Sequence, residues 1–255
     1  MANATPGGAL VTGAGMRVGR AMALALAEAG FAVAVHYRSS AAQADEVVAQ
    51  IKAHGGEAAS IQADLSREEE TAGLVAKAAG AVGPLTLLVN SASVFEPDDI
   101  ASMTRTSWDK HIETNLRAPL KLAQDFAAQA APGANNLIVN IIDQRVLKLT
   151  PQFLSYTTSK AALATLTTTL AQALGGQGIR VNAIGPGPVL KNSRQSDADW
   201  QRQNEATILG HGATPADICG ALTYLVSASA VTGQMIAVDG GQHLAWQTPD
   251  VLVQE

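Results

Sequence analysis

Tyr156 and Lys160 stand four residues apart in the stretch Leu154-Ser155-Tyr156-Thr157-Thr158-Ser159-Lys160, so a helix there carries both on one face. A phenol is a poor proton exchanger at neutral pH because its pKa is about 10, and an ammonium one turn away favours the phenolate. Tyr156 is therefore a candidate acid, with Lys160 as its electrostatic partner. A Tyr-x-x-x-Lys pair alone equally suits an amphipathic surface helix. The apolar run Leu137 to Ile142 ends at Asp143, which brings a carboxylate into the same neighbourhood.

A second group of residues suits phosphate. Thr12-Gly13-Ala14-Gly15-Met16-Arg17-Val18-Gly19 follows one apolar run and opens a helix-forming stretch. Glycines at such a turn let backbone amides reach a pyrophosphate, whose charge the helix amino terminus favours; the bland reading is a tight turn alone. Arg17 falls in the first helical turn, where a cation is unfavourable by about 0.3–1 kcal/mol unless an anion neutralises it. Either Arg17 clamps a cofactor phosphate or an anionic substrate edge, or it is a solvated surface arginine. About twenty residues beyond such glycines, an NAD site usually offers an acidic side chain to the ribose. This chain offers His36-Tyr37-Arg38-Ser39-Ser40 instead. Arg38, the two serine hydroxyls and His36 suit a 2′-phosphate, so NADP(H) is the expected cofactor. Ser39 or Ser40 is also a good helix N-cap.

The scaffold that positions these groups reads as alternating strands and helices. Strands are expected at Ala9 to Thr12, Phe31 to His36, Ala58 to Gln62, Leu85 to Val89, Leu137 to Ile142, Ile179 to Ile184 and Gln234 to Val238. Helices are expected at Val18 to Ala29, Ala41 to His54, Glu68 to Ala79, about Thr106 to Gln129, Leu154 to Leu174 and Pro215 to Ser227. The strands are continuously apolar, as strands buried on both faces are. The fold class is therefore α/β: one Rossmann-type, doubly wound parallel sheet of about seven strands in a single domain over 1–255, with helices on both faces. The polar segment Leu190 to Gly210 follows a strand's carboxyl end, where ligands bind in such folds, and is expected to be an irregular, mobile substrate cover. Trp200 within it is either part of that cover or a packing anchor.

Composition narrows the partners. With 17 basic against 22 acidic residues and no Lys/Arg-rich run, nothing points to nucleic acid or an anionic membrane surface. The start, MANATPGG, has the features of no export signal, and no apolar run is long enough to cross a bilayer, so a cytoplasmic location is expected. The lone Cys219 sits among apolar neighbours and reads as a buried structural thiol. The five histidines show no metal-ligand spacing, so no catalytic metal is expected. A small-molecule substrate is the expected partner.

Taken together, the motifs resemble the short-chain dehydrogenase/reductase family over essentially the whole chain. The matching residues are Thr12-Gly13 with Gly19, Asp64-Leu65, Asn90-Ser91-Ala92, Asn115, Tyr156 with Lys160, and Pro186-Gly187. The resemblance implies that Gly13, Val18, Gly19, Asp64, Leu65, Asn90, Ser91, Ala92, Lys160, Pro186 and Gly187 line the cofactor site and that Asp64 contacts the adenine. It also implies that Asn115 supports a water-linked proton path to Lys160, and that Lys160 holds the nicotinamide ribose. Family members usually form dimers or tetramers; the small residues Ala161, Ala162, Ala164 and Ala171 on the active-site helix agree with a homo-oligomer.

The departures from the family pattern are as informative. Most members carry Gly in place of Arg17, Asn-Asn-Ala-Gly in place of Asn90-Ser91-Ala92-Ser93, and Ser in place of Asp143. A serine hydroxyl donates to a carbonyl oxygen turning into an alkoxide, whereas an ionised aspartate only accepts and would repel it. Asp143 thus favours a substrate presenting N–H groups; the other readings are an Asp143 kept protonated by burial, or a decayed site. The same departures resemble one branch, the pteridine reductases with the bacterial dihydromonapterin reductases. That resemblance implies that Phe95 stacks on a pterin lying on the nicotinamide, that Ser93 and Arg17 hold the pterin edge and phosphate, and that Asp143 and Tyr156 face the substrate. Phe95 otherwise reads as a core residue below its loop. The expected activity is NADPH-dependent reduction of a C=N bond in a pterin or dihydrofolate-like ring; the rival within enzymes is a ketone or 3-oxoacyl reductase. A non-catalytic NADP sensor is the rival of another class, and Tyr156, Lys160 and Asn115 together count against it.

Overall fold

The computed structural model describes residues 6–246. Residues 1–5, most of the opening octapeptide, lie outside that range. Seven parallel strands form one sheet in the order β3-β2-β1-β4-β5-β6-β7. They are β1 (Gly8–Val11), β2 (Ala32–Tyr37), β3 (Ala58–Gln62), β4 (Leu85–Asn90), β5 (Asn136–Ile141), β6 (Ile179–Pro186) and β7 (Met235–Val238). The sequence order reverses between β1 and β4, and the crevice above that switch point is where such sheets bind ligands.

Side chains alternate across the strands and build a core on each face. Ala9, Val11, Val33, Val35, Leu137 and Val139 face one layer, with α1 (Arg17–Glu28), α2 (Ala41–Ala53) and α9 (Pro215–Ser227) over it. Leu10, Ala34 and Ile138 face the other, beneath α4 (Leu74–Val82), α6 (Ala118–Gln129) and α7 (Leu154–Leu174). Apolar residues on both faces of each strand leave no polar side, hence the continuous runs in sequence. Below the sheet's far end the buried Arg180 donates to the carbonyls of Leu225, Ala228 and Val231, closing the carboxyl end of α9. Cys219 on α9 is half-buried, and burial pushes its thiol up. No described helix is long and apolar enough to cross a membrane.

Three elements differ from expectation. The helix expected over Glu68 to Ala79 is two, α3 (Glu68–Thr71) and α4, parted at Gly73, whose lack of a side chain makes continuing the helix costly. The long middle helix divides into α5 (Arg105–Ile112), a π-turn over Glu113–Arg117, and α6. Pro119 has no N–H to give the carbonyl of Asn115 four residues earlier, and the widened turn places Asn115 inward, fully buried. The segment Leu190 to Gly210 is not irregular throughout: Ser196 caps α8 (Asp197–Glu205) by accepting from Asp199 N at 3.0 Å.

Candidate active site

A cavity of about 630 Å³ runs from the glycine turn to Tyr156 along the carboxyl ends of the strands. Every residue read above as a cofactor, substrate or proton-transfer group lines it except Asn90 and Asn115, which are buried behind its wall. Thr12 sews the switch point together: its Oγ1 accepts from the amides of Ser91 at 2.9 Å and Ala92 at 3.0 Å. At Gly13 and Gly19 the turn admits only glycine. A Cβ on Gly19 would lie 2.2 Å from the carbonyl oxygen of Gly13, and Gly13 has φ +65° with the Ala92 backbone 2.9 Å from where its Cβ would stand. That cradle fits a pyrophosphate.

At the end of β2, Arg38 and Ser39 are exposed along the cavity, and Ser40 holds the N-cap position of α2 without a side-chain capping bond. These groups fit a ribose phosphate. His36 does not. It is 1% exposed, its Nδ1 accepts from Gly13 N at 3.0 Å, and its Nε2 donates to Ala63 O at 3.1 Å. Both ring nitrogens are taken, so the phosphate role expected of His36 is replaced by that of a strut under the glycine turn. Burial lowers its pKa from 6.5 to about 4. The unfolded chain therefore takes up a proton below about pH 6.5 that the folded chain refuses until about 4. His36's contribution to stability is whole above 6.5 and is lost toward 4, by about 3 kcal/mol. Urea unfolding of the wild type and His36→Asn from pH 4 to 7 should give a flatter acid limb in the variant; equal limbs would contradict a neutral buried His36.

Asp64 sits across from Arg38. Burial pushes its carboxyl up, but bonds from Ser66's amide and hydroxyl, with Arg38 and Arg67 nearby, outweigh this and hold it below the usual range. It remains an ionised acceptor. Arg17 has φ 53°, a left-handed conformation costing a non-glycine residue on the order of 1 kcal/mol. Its guanidinium donates to the carbonyls of Leu190 at 2.8 Å and Lys191 at 3.1 Å. Rather than a free first-turn clamp, Arg17 ties the glycine turn to the start of the segment that follows β6.

At the chemical end, Tyr156 Oη donates to Asp143 Oδ2 at 2.8 Å. Asp143 Oδ1 accepts from Arg145 N at 2.7 Å, capping a short 3-10 turn over Gln144–Val146. Lys160 is 2% exposed, with Nζ donating to Ile141 O at 2.8 Å and lying 5.8 Å from the centre of the Tyr156 ring. Burial lowers the Lys160 ammonium to about 8, with Asp143 pulling the other way. Tyr156 is not lowered toward the phenolate, as its spacing from Lys160 suggested: burial first and the Asp143 carboxylate second push it well above 10. A phenol beside a carboxylate keeps its proton until a more basic atom arrives.

Asn115 uses its whole side chain. Nδ2 donates to Val94 O at 2.9 Å and Ser159 Oγ at 3.0 Å, while Oδ1 accepts from Val94 N at 2.8 Å and Ser93 Oγ at 3.2 Å. It thereby fixes the loop after β4 to α7, and any water it holds must bind its main chain. Asn90 Nδ2 donates to Asn140 Oδ1 at 2.9 Å, and Asn140 donates on to Thr167 of α7 at 2.9 Å. Phe95 is half-buried. Phe153 stacks on it with ring centres 4.4 Å apart and planes 8° from parallel, and Tyr156 meets it edge-on at 4.7 Å. One ring face expected for a substrate is thus taken by Phe153.

The family model described as enoyl-(acyl carrier protein) reductase matches residues 13–243. The chain is a short-chain dehydrogenase/reductase. Among solved structures, this short-chain dehydrogenase/reductase is similar to FolM alternative dihydrofolate reductase 1 from Brucella canis, complexed with NADP. The two are 43% identical with a TM-score of 0.93, covering 97% of this chain and 98% of that one. The Brucella suis protein of the same name, also in complex with NADP, is 44% identical with a TM-score of 0.92, covering 96% and 98%. Among curated proteins, the 3-oxoacyl-[acyl-carrier-protein] reductase FabG of Staphylococcus epidermidis is 33% identical over 241 residues, covering 92% of this chain and 98% of its own length.

Sequence reading missed two residues that shape this short-chain reductase's site. Asp98 is 7% exposed; its carboxylate accepts from Ser155 N at 3.0 Å and its carbonyl from Leu154 N at 3.2 Å. It caps the helix carrying Tyr156 and Lys160 from a distant loop, because the local N-cap residue, Phe153, has no polar side chain. Arg194 reaches from beyond β6 to donate to Phe95 O at 3.0 Å. Neither has a local sequence signal, since both act across loops.

Proposed function

We propose that this short-chain dehydrogenase/reductase uses NADPH to reduce a C=N bond in a pterin or dihydrofolate-like ring. The observation that carries the reading is the 2.8 Å hydrogen bond from Tyr156 to Asp143, where most of the family has a serine able to donate. With that carboxylate beside it the phenol is held protonated, and an imine nitrogen, more basic than a ketone oxygen, is the better recipient of its proton. Asp143 then accepts from N–H groups of the ring. A carbonyl turning into an alkoxide gains nothing from such a neighbour. The FolM proteins, which carry the name dihydrofolate reductase and are complexed with NADP, support both substrate and cofactor.

NADPH bound along the cavity supplies the hydride. Gly13, Val18 and Gly19 leave room for its pyrophosphate, Arg38 and Ser39 meet the 2′-phosphate, Asp64 and Leu65 the adenine, and Ser91, Ala92, Pro186 and Gly187 the nicotinamide side. Tyr156 gives its proton to the ring nitrogen. Lys160, one turn on, offsets the phenolate that remains and binds the ribose. Ser93, Phe95 and Arg17 form the substrate side, with Phe153 on one face of the Phe95 ring and the Arg194 guanidinium over it.

One observation favours a second reading, reduction of a 3-oxoacyl thioester: the FabG likeness over nearly the whole chain. Purified protein with NADPH is offered a dihydropterin, a dihydrofolate and a 3-oxoacyl thioester, and loss of nicotinamide absorbance is followed. Consumption with the pterin or folate is expected; consumption with the thioester alone would sink the assignment. We also infer a homodimer or homotetramer, which sedimentation would measure. Ala171 is not part of any such contact surface, being 6% exposed in the core.

A further inference from the structure

Four cations line the substrate half of the cavity, and three have partners within the chain. Arg17 is bound to two carbonyls, Lys110 pairs with Glu96 at 2.5 Å, and Lys160 is buried against Ile141 O. Arg194 differs. It is exposed, has no ion pair among the described residues, and spends one of a guanidinium's five N–H groups, on Phe95 O. Its guanidinium carbon lies 5.4 Å from the centre of the Phe95 ring. Phe153 stacks against the same ring, and Arg145 lies over Phe153 at 5.1 Å, with its buried Nε unpartnered.

Cation, two parallel aromatic rings and second cation thus form one stacked wall, of which Arg194 and Phe95 line the cavity. Phe95 also touches Tyr156, so whatever lies beside that wall is within one ring of the reacting bond. Arg194 is exposed and lines the cavity, so a flat heterocycle bound there can direct its side chain outward past it. A planar fork with four free donors suits a carboxylate or a phosphate, and it stands here on a chain whose formal charge is −5.

We propose that Arg194 is a specificity-determining residue that selects ring substrates bearing an anionic side chain, carboxylate or phosphate, over those with a neutral one. The inference rests on the pterin reading above. Arg194 holds Phe95 in place without substrate and keeps most of its donors for the substrate's tail. Arg145 steadies the wall from behind.

The test is steady-state kinetics of the full chain with NADPH and three substrates: dihydrofolate with its glutamate carboxylates, a dihydropterin with a neutral hydroxyalkyl side chain, and the phosphate ester of that dihydropterin. Arg194→Ala is expected to raise the ratio of KM for an anionic-tailed substrate to KM for the neutral one about tenfold, with kcat little changed. Arg194→Lys should fall between, and Arg194→Glu should raise the ratio further. A rise for dihydrofolate alone identifies a carboxylate as the cognate group, and a rise for the ester alone identifies a phosphate. Ratios unchanged in all three variants would overturn the inference while leaving the pterin reading intact. If the wild type turns over none of the three, the pterin reading falls and Arg194's role falls with it.

Discussion

Tyr156→Phe is expected to lower kcat for dihydropterin reduction about a hundredfold or more, with KM and NADPH affinity nearly unchanged. The substitution removes one oxygen and leaves the ring. The edge contact with Phe95 and the packing that leaves Tyr156 only 6% exposed stay in place, so the pocket keeps its shape. What disappears is the proton that now points at Asp143. Because the interaction with the ring nitrogen strengthens as that nitrogen gains charge, its loss falls on kcat and kcat/KM together. Stopped-flow oxidation of NADPH, with nicotinamide fluorescence to report cofactor binding, measures both quantities. An unchanged rate would remove Tyr156 from proton transfer.

Asp143→Ser is expected to cut pterin reduction about a hundredfold and to raise carbonyl reduction. Serine also makes a good N-cap, so the short turn that Asp143 caps through Arg145 N can persist and the fold should survive. The side chain changes from acceptor to donor, which suits an alkoxide in place of ring N–H groups. A second effect follows from the electrostatics. The carboxylate is one of the groups holding the Tyr156 phenol up, so its removal moves the alkaline limb of the pH–rate profile to lower pH. Parallel assays with a dihydropterin and a 3-oxoacyl thioester decide the matter. If carbonyl turnover stays where it was and pterin turnover persists, Asp143 does not set the substrate class.

Much of the fold was legible because parallel strands buried on both faces read as near-continuous apolar runs, and one such as Leu137 to Val139 can be little else. The order of those runs, with glycines after the first, leads directly to the seven-stranded sheet. Breaks inside helices were not legible. Apolar spacing continues across Gly73 and across the π-turn at Asn115, and only the missing N–H of Pro119 hints at the second.

In the site, Tyr156 and Lys160 stood out through their four-residue spacing on one helix, and Asp143 because it follows a strand's carboxyl end. His36 did not, for the opposite reason: a strand's last residues look alike whether they point at a ligand or under a turn, and only its bonds to Gly13 and Ala63 tell them apart. Phe153, Arg194 and Asp98 meet their partners across loops, where no periodicity operates.

Lys160 has a consequence for anyone seeking a sturdier form of this enzyme. Its ammonium is buried with one carbonyl for company, and its fall from 10.5 to about 8 corresponds to about 3 kcal/mol against folding. That penalty is whole below pH 8 and fades between 8 and 10.5, as the folded chain sheds a proton the unfolded chain keeps. A selection for heat resistance alone at neutral pH would therefore reward apolar replacements at this position, and its winners would be stable proteins with no turnover. Thermal screens of this chain need an NADPH assay beside them, since a buried charge that opposes folding is also its working one.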